Sequence, residues 1–208
     1  MDRTVMWMQW NSLGMEQLHI ENEPQSSSSG SNSAGSSSAG SIVANSVVMG
    51  IKDGRPFRIR YQIETTPDWQ VQTLRLERLD AVGTTLWLRS DGAGQWWGQD
   101  DSPCPELNGS VDLDLSITPF TNTLAIRRLA LQPGEVRNIS AVCITIPEME
   151  IRAMPQRYTC LEVSSQGGIY RYEGLVRNFS VELLVDRDGL VIEYPKSFRR
   201  IWSVEEPR

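Results

Sequence analysis

A chain of 208 residues with 20 basic and 26 acidic side chains carries a net charge of −6, which argues against general affinity for nucleic acid or anionic membranes. Cys104, Cys143 and Cys160 are odd in number and widely spaced, and His19 is the only histidine, so neither a disulfide framework nor a His/Cys metal site is spelled. The length suffices for one domain with a full core and no staples or cofactor.

The start, MDRTVMWMQWN, lacks the apolar core of a signal peptide, and no later run reaches membrane-spanning length; the expectation is a reduced, cytoplasmic protein. Thr4–Trp10 and Gln17–Glu21 read as strands around a turn at Asn11–Gly14. Next comes SSSSGSNSAGSSSAGS, a low-complexity tract whose ends, as a random coil, would lie roughly 20–24 Å apart. Insertions of this kind cost a domain little, so the tract reads as a loop inserted at about 25–41 within one domain spanning 1–208.

Ile42–Ile51 leads through the turn signal Lys52-Asp53-Gly54 into Phe57–Glu64, where Phe57, Ile59, Tyr61 and Ile63 alternate with Arg58, Arg60, Gln62 and Glu64. Trp69–Leu79 has a phase slip near Thr73, which predicts a bulge. Thr84–Arg89 and Gln95–Gly98 flank a tight loop at Ser90–Gly94. Later strands are expected at Val136–Ile146, Met149–Ala153, Arg157–Val163, Ile169–Glu173, Phe179–Val185 and Leu190–Tyr194, the last two joined by the turn Asp186-Arg187-Asp188-Gly189. No segment holds a helical period beyond about three turns, so the fold class is all-β. The alternation alone permits a sandwich or a barrel as readily as a curled sheet.

The densest chemistry lies in Val111–Leu131. Val111, Leu113, Leu115 and Ile117 alternate with Asp112, Asp114, Ser116 and Thr118, which predicts a strand with one buried and one wet or functional face. Thr118-Pro119 breaks it, and threonine followed by proline suits the start of a short helical turn. Thr121, Asn122 and Thr123 follow, and the segment ends in Arg127-Arg128.

The word TPFTNTLAIRRL, with LNGSVDLDL before it and QRYT, DRDGLVIEYP and SFRRI after it, resembles the putative glycolipid-binding family, and the likeness runs from MWMQWNSLGMEQL to YPKSFRRI. The resemblance implies a single spiral β-roll, a long and mainly antiparallel sheet wrapped around one short helix, with likeness to bacterial lipoprotein carriers. Ser110 and Ala125 depart from it, standing where the family pattern has cysteine and proline. Gln156, Tyr158 and Tyr172 resemble its polar and aromatic positions on the late strands.

Three functions are consistent with these residues. The first is a non-enzymatic binding or carrier protein for a lipid or glycolipid, with an apolar concavity and a head-group site drawn from Asp112, Asp114, Thr118, Asn122, Arg127, Arg128, Gln156, Tyr158, Tyr172 and Trp97. On that reading Thr118, Thr121 and Asn122 either read ligand hydroxyls or satisfy backbone groups at the strand break. The second is a hydrolase of a glycosidic or ester bond, because Asp112 and Asp114 share a strand face with Cα atoms roughly 6.6–6.8 Å apart. Against it, alternating aspartates also serve as plain surface charge or as partners for Arg127 and Arg128. The third is a structural β protein that forms a homodimer. Trp96 and Trp97, adjacent on a strand, must face opposite sides, which leaves one of them open to stack on a sugar or line an acyl chain. The short acidic turn at Asp186–Gly189 supplies too few ligands for calcium, and no phosphate loop, dinucleotide fingerprint or nucleophile elbow occurs.

Overall fold

The computed structural model describes residues 1–10, 13–23, 40–81, 83–176 and 178–205. Most of the Ser-rich insertion, and Asn11 and Ser12 of the first turn, lie outside them. Among the described residues, one arm of the chain forms β1 Asp2–Gln9, β2 Gly14–Glu23, β3 Ser41–Lys52, β4 Arg55–Thr65, β5 Val71–Arg78, β6 Thr85–Ser90 and β7 Trp96–Trp97. After β8 Asp112–Leu115 and the helix α1 Phe120–Leu129, the other arm forms β9 Val136–Thr145, β10 Glu150–Ser164, β11 Gly167–Gly174, β12 Phe179–Asp186, β13 Val191–Tyr194 and β14 Phe198–Glu205.

All fourteen strands join one sheet, in which β1 and β14 are neighbours and each arm meanders outward from that seam, to β7 on one side and β8 on the other. Every pairing is antiparallel except β8 with β9. Strand-to-strand hairpins need only short turns, whereas the parallel pair needs the long crossover that α1 supplies. The loop between the outermost strands folds back on β7: Cys104 donates its backbone N–H to Trp96 O (2.9 Å), and the Trp96 indole donates to Ser110 O (2.6 Å). An edge that would otherwise offer unpaired backbone to another chain is thereby covered.

The alternation along β1, β2, β4 and β5 puts Val5, Trp7, Leu18, Ile20, Ile59, Ile63, Leu74 and Leu76 on the concave face, all fully buried. Helix α1 fills the roll. Phe120 and Leu124 pack into this larger core, while Ala125 and Ile126 pack into a second one with Tyr158, Cys160, Leu183 and Val185 from β10 and β12. Its first seven residues, Phe120 to Ile126, are buried on every side and have no need of a narrow apolar stripe, which is why the helical period is faint in the sequence. Proline at the N-cap, with Thr118 Oγ1 accepting the Phe120 N–H (3.0 Å), starts the helix one residue later than expected. Ala130, in the left-handed region at φ 45°, ends it.

Two expectations are corrected. Met149–Ala153 and Arg157–Val163 are one strand, β10, that runs straight through Pro155. Pro155 O accepts from Leu175 on the β11 side, so the missing N–H falls on that side too, beyond the end of the β10–β11 ladder, and pairing with Ser140 of β9 survives. Phe198–Glu205, not read as a strand, is β14 and forms half of the central seam. The bulge expected near Thr73 is present one residue earlier, where Gln72 is skipped between Val71 and Thr73 in pairing with β4.

Candidate functional site

The alternation in β8 predicts one buried and one wet or functional face; on the second, Asp112 is buried while Asp114 and Ser116 line a cavity. Leu113 and Leu115 enter the larger core, and the aspartates point towards α1 and β10. Asp112 is 2% exposed, and Arg128 from the last turn of α1 grips both its oxygens, Nε to Oδ1 at 2.8 Å and Nη2 to Oδ2 at 2.6 Å. This fork-to-carboxylate pair ties helix to edge strand.

Asp114, two residues along, is half-buried and lines a cavity of about 550 Å³. Gln156 Nε2 donates to its Oδ2 at 2.7 Å, and the hydroxyls of Thr121 (3.4 Å) and Tyr172 (3.5 Å) and the Cys143 thiol (3.6 Å) stand around it. Among the described residues no arginine or lysine forms an ion pair with it. Burial therefore raises the Asp114 carboxyl above the usual carboxylate range, against the opposing pull of Gln156, Cys143, Thr121 and Tyr172. The same burial, together with the negative charge of Asp114, pushes the hydroxyls of Tyr172 and Tyr158 upward, so both remain neutral donors.

The walls are aromatic. Tyr172 lies against Tyr158 (centroids 5.3 Å), Phe179 (6.2 Å) and Tyr194 (6.4 Å), and Tyr194 continues the chain of rings to Phe198 (5.9 Å). Met154 and Val176 line the cavity as well. Arg152 lines it but is exposed and bonded to Glu150 at 3.0 Å. Among the described residues no cluster of His, Cys, Asp and Glu is fit to hold a metal ion.

Of the ten residues singled out in the sequence, Asp114, Thr118, Asn122, Gln156 and Tyr172 line this one cavity. Tyr158 lies behind it, its hydroxyl donating to Asn122 Oδ1 at 2.9 Å, and so orients Asn122 from the core. The others are elsewhere. Asp112 and Arg128 neutralise each other, so the two aspartates do not face a shared space. Arg127 is exposed and lies over the ring of Trp69 at 5.4 Å, on the far side of the helix from the cavity. Trp97 sits at the opposite edge of the sheet beneath Arg89 at 4.2 Å, while its neighbour Trp96 is buried.

Sequence reading missed Cys143, Met154, Phe179, Tyr194 and Phe198. It also missed Glu16. This carboxylate is fully enclosed behind Thr118, with Tyr61 OH (2.5 Å) and Ser46 Oγ (2.8 Å) donating to its Oε1. The alternation of β2 marks position 16 as inward-facing, and an acid in an apolar row was the available signal.

Because ionising Asp114 costs free energy in the folded state, Asp114→Asn should melt at a higher temperature than the wild type at pH 8. The gap should narrow as the pH falls through the carboxylate range, where the wild-type side chain takes up its proton. Calorimetry across pH checks this, and a variant that melts lower at pH 8 refutes it.

The model of the family described as "Putative glycolipid-binding" matches residues 29–200. The chain belongs to this family. Among solved structures, the putative glycolipid-binding chain is similar to a DUF1089 family protein from Pseudomonas aeruginosa, with 36% identity and a TM-score of 0.70 over 76% of this chain and 86% of that one. No curated protein matches. Among the described residues of this family member, no helix is long and apolar enough to cross a membrane.

Proposed function

We propose that this protein binds a glycolipid, or a lipid with a comparable uncharged head group, without transforming it, and holds it in the cavity above Asp114. One observation carries the reading: a half-buried carboxylate with only neutral donors around it among the described residues lines an aromatic-walled cavity of about 550 Å³. Cavities of this size suit small-molecule ligands. Sugar hydroxyls donate readily to such a carboxylate, and the apolar faces of a sugar ring pack on aromatic rings such as Tyr172 and Tyr194. Met154, Val176 and Phe179 offer an apolar path for the start of an acyl chain. Among the described residues no arginine or lysine pairs with Asp114, so its charge opposes anionic head groups.

Titration calorimetry with alkyl glucosides of increasing chain length tests the proposal. Affinity should rise with chain length, and Asp114→Ala should weaken it about tenfold or more, the usual cost of losing a hydrogen bond to a charged group. A wild-type protein that binds none of these ligands, and from which organic extraction recovers no lipid, would end the proposal.

A further inference from the structure

The convex face of the sheet carries a second feature, independent of the cavity. Met8, Met15 and Met49 lie directly opposite one another across β1, β2 and β3, and all three are exposed. The row ends in arginine on both sides, with Arg199 of β14 opposite Met8 and Arg58 of β4 opposite Met49. One step further along the strands, Leu13 accepts the backbone N–H of Ile51 (2.9 Å), and the two extend the patch beside Trp10. Leu13 is 76% exposed, Met49 53% and Trp10 49%. On the other side, Trp202 stands exposed opposite Met6.

We infer that this end of the sheet docks on the surface of an anionic lipid bilayer. Charge complementarity selects that occupant. Arg55, Arg58 and Arg199 are exposed around the patch, and none has a carboxylate within ion-pairing distance among the described residues. The acids beside them are Asp53 in the β3–β4 turn, Glu193 opposite Arg199 on β13, and two that are already paired, Glu148 with Lys52 and Asp80 with Arg78, each at 2.8 Å. A chain of net charge −6 thus turns an apolar end rimmed by unpaired arginines outward. That combination is what anionic lipid surfaces attract: arginines reach head groups while methionine and tryptophan enter the interface. A second copy stacked face to face would set arginine against arginine, so self-association fits the patch less well. The patch also adjoins the cavity, because Trp10 donates its backbone N–H to Ser197 O (3.0 Å), and Ser197 and Phe198 line the cavity.

Co-sedimentation of the full chain with vesicles is the test, using phosphatidylglycerol mixed with phosphatidylcholine against phosphatidylcholine alone. The protein should pellet with the anionic vesicles and be released by high salt. Arg58→Gln and Arg199→Gln should each lower partitioning roughly fivefold. Leu13→Asp with Met49→Asp should abolish it while leaving the thermal midpoint and the cavity's ligand affinity unchanged, since both side chains are exposed and distant from the core. Equal binding to both vesicle types, no binding to either, or a concentration-dependent dimer dispersed by Leu13→Asp in a protein that ignores vesicles would each overturn the inference.

Discussion

Arg128→Met should destabilise the protein by about 3–5 kcal/mol, among the largest losses any single substitution here can produce. The reason is what the change leaves behind. Asp112 is 2% exposed, and both its oxygens are taken up by the Arg128 guanidinium. Removing that partner strands a charge in a place water cannot reach, and the helix loses its tie to β8 at its last turn. The pair itself is worth much less than its rupture, because desolvating two ions offsets most of their attraction. Asp112→Leu combined with Arg128→Met should therefore recover most of the lost stability. Denaturant unfolding followed by tryptophan fluorescence gives both numbers, and a single variant as stable as the wild type would show that Asp112 is solvated after all.

Glu16→Gln should act in the opposite direction and depend on pH. Burial raises the Glu16 carboxyl from 4.5 to about 7, outweighing the hydroxyls of Thr118, Tyr61 and Ser46 that favour its charge. An acid that holds its proton more tightly when folded stabilises the fold while protonated. Its contribution is thus complete below pH 4.5, declines by about 1.4 kcal/mol per pH unit between 4.5 and 7, and has gone above that. Glutamine keeps an oxygen for Tyr61 and Ser46 and has no proton to lose. The variant should exceed the wild type by about 3 kcal/mol at pH 8 and match it near pH 4. Parallel unfolding curves at the two pH values decide the matter; a difference that does not change with pH would mean Glu16 ionises normally. Thr118 adjoins Glu16 and also lines the cavity, so ligand affinity should be measured in the same variant.

The candidate site was half legible in the sequence. Asp114, Thr118 and Asn122 stood out because they crowd a single strand-to-helix break, and Gln156 and Tyr172 because they match the family's late-strand pattern. Phe179, Tyr194 and Phe198 did not, since an aromatic residue at a strand end looks the same whether it fills a core or walls a cavity. Asp112 and Asp114 are the clearest case of what local pattern conceals. Two identical side chains on one strand face, two residues apart, have opposite fates because only one lies within reach of Arg128. Pairing neutralises the first, and the second is left with neutral donors on the wall of an opening.

The sequence by itself determined the class and most of the strands, though not β14 or the continuity of β10, because period-2 alternation is a local property that the pleat of a strand converts directly into an inner and an outer face. It also marked the helix start, through Thr118 and Pro119, although a helix buried on every side up to Ile126 gave little periodic signal. What only the tertiary structure decided was which strands meet: β1 beside β14, the edges joined through a covered loop, and four segments far apart in the chain gathered around Asp114. Those contacts depend on how the sheet curls, which is set by packing across the roll around α1 and leaves no spacing in the chain for a reader to find.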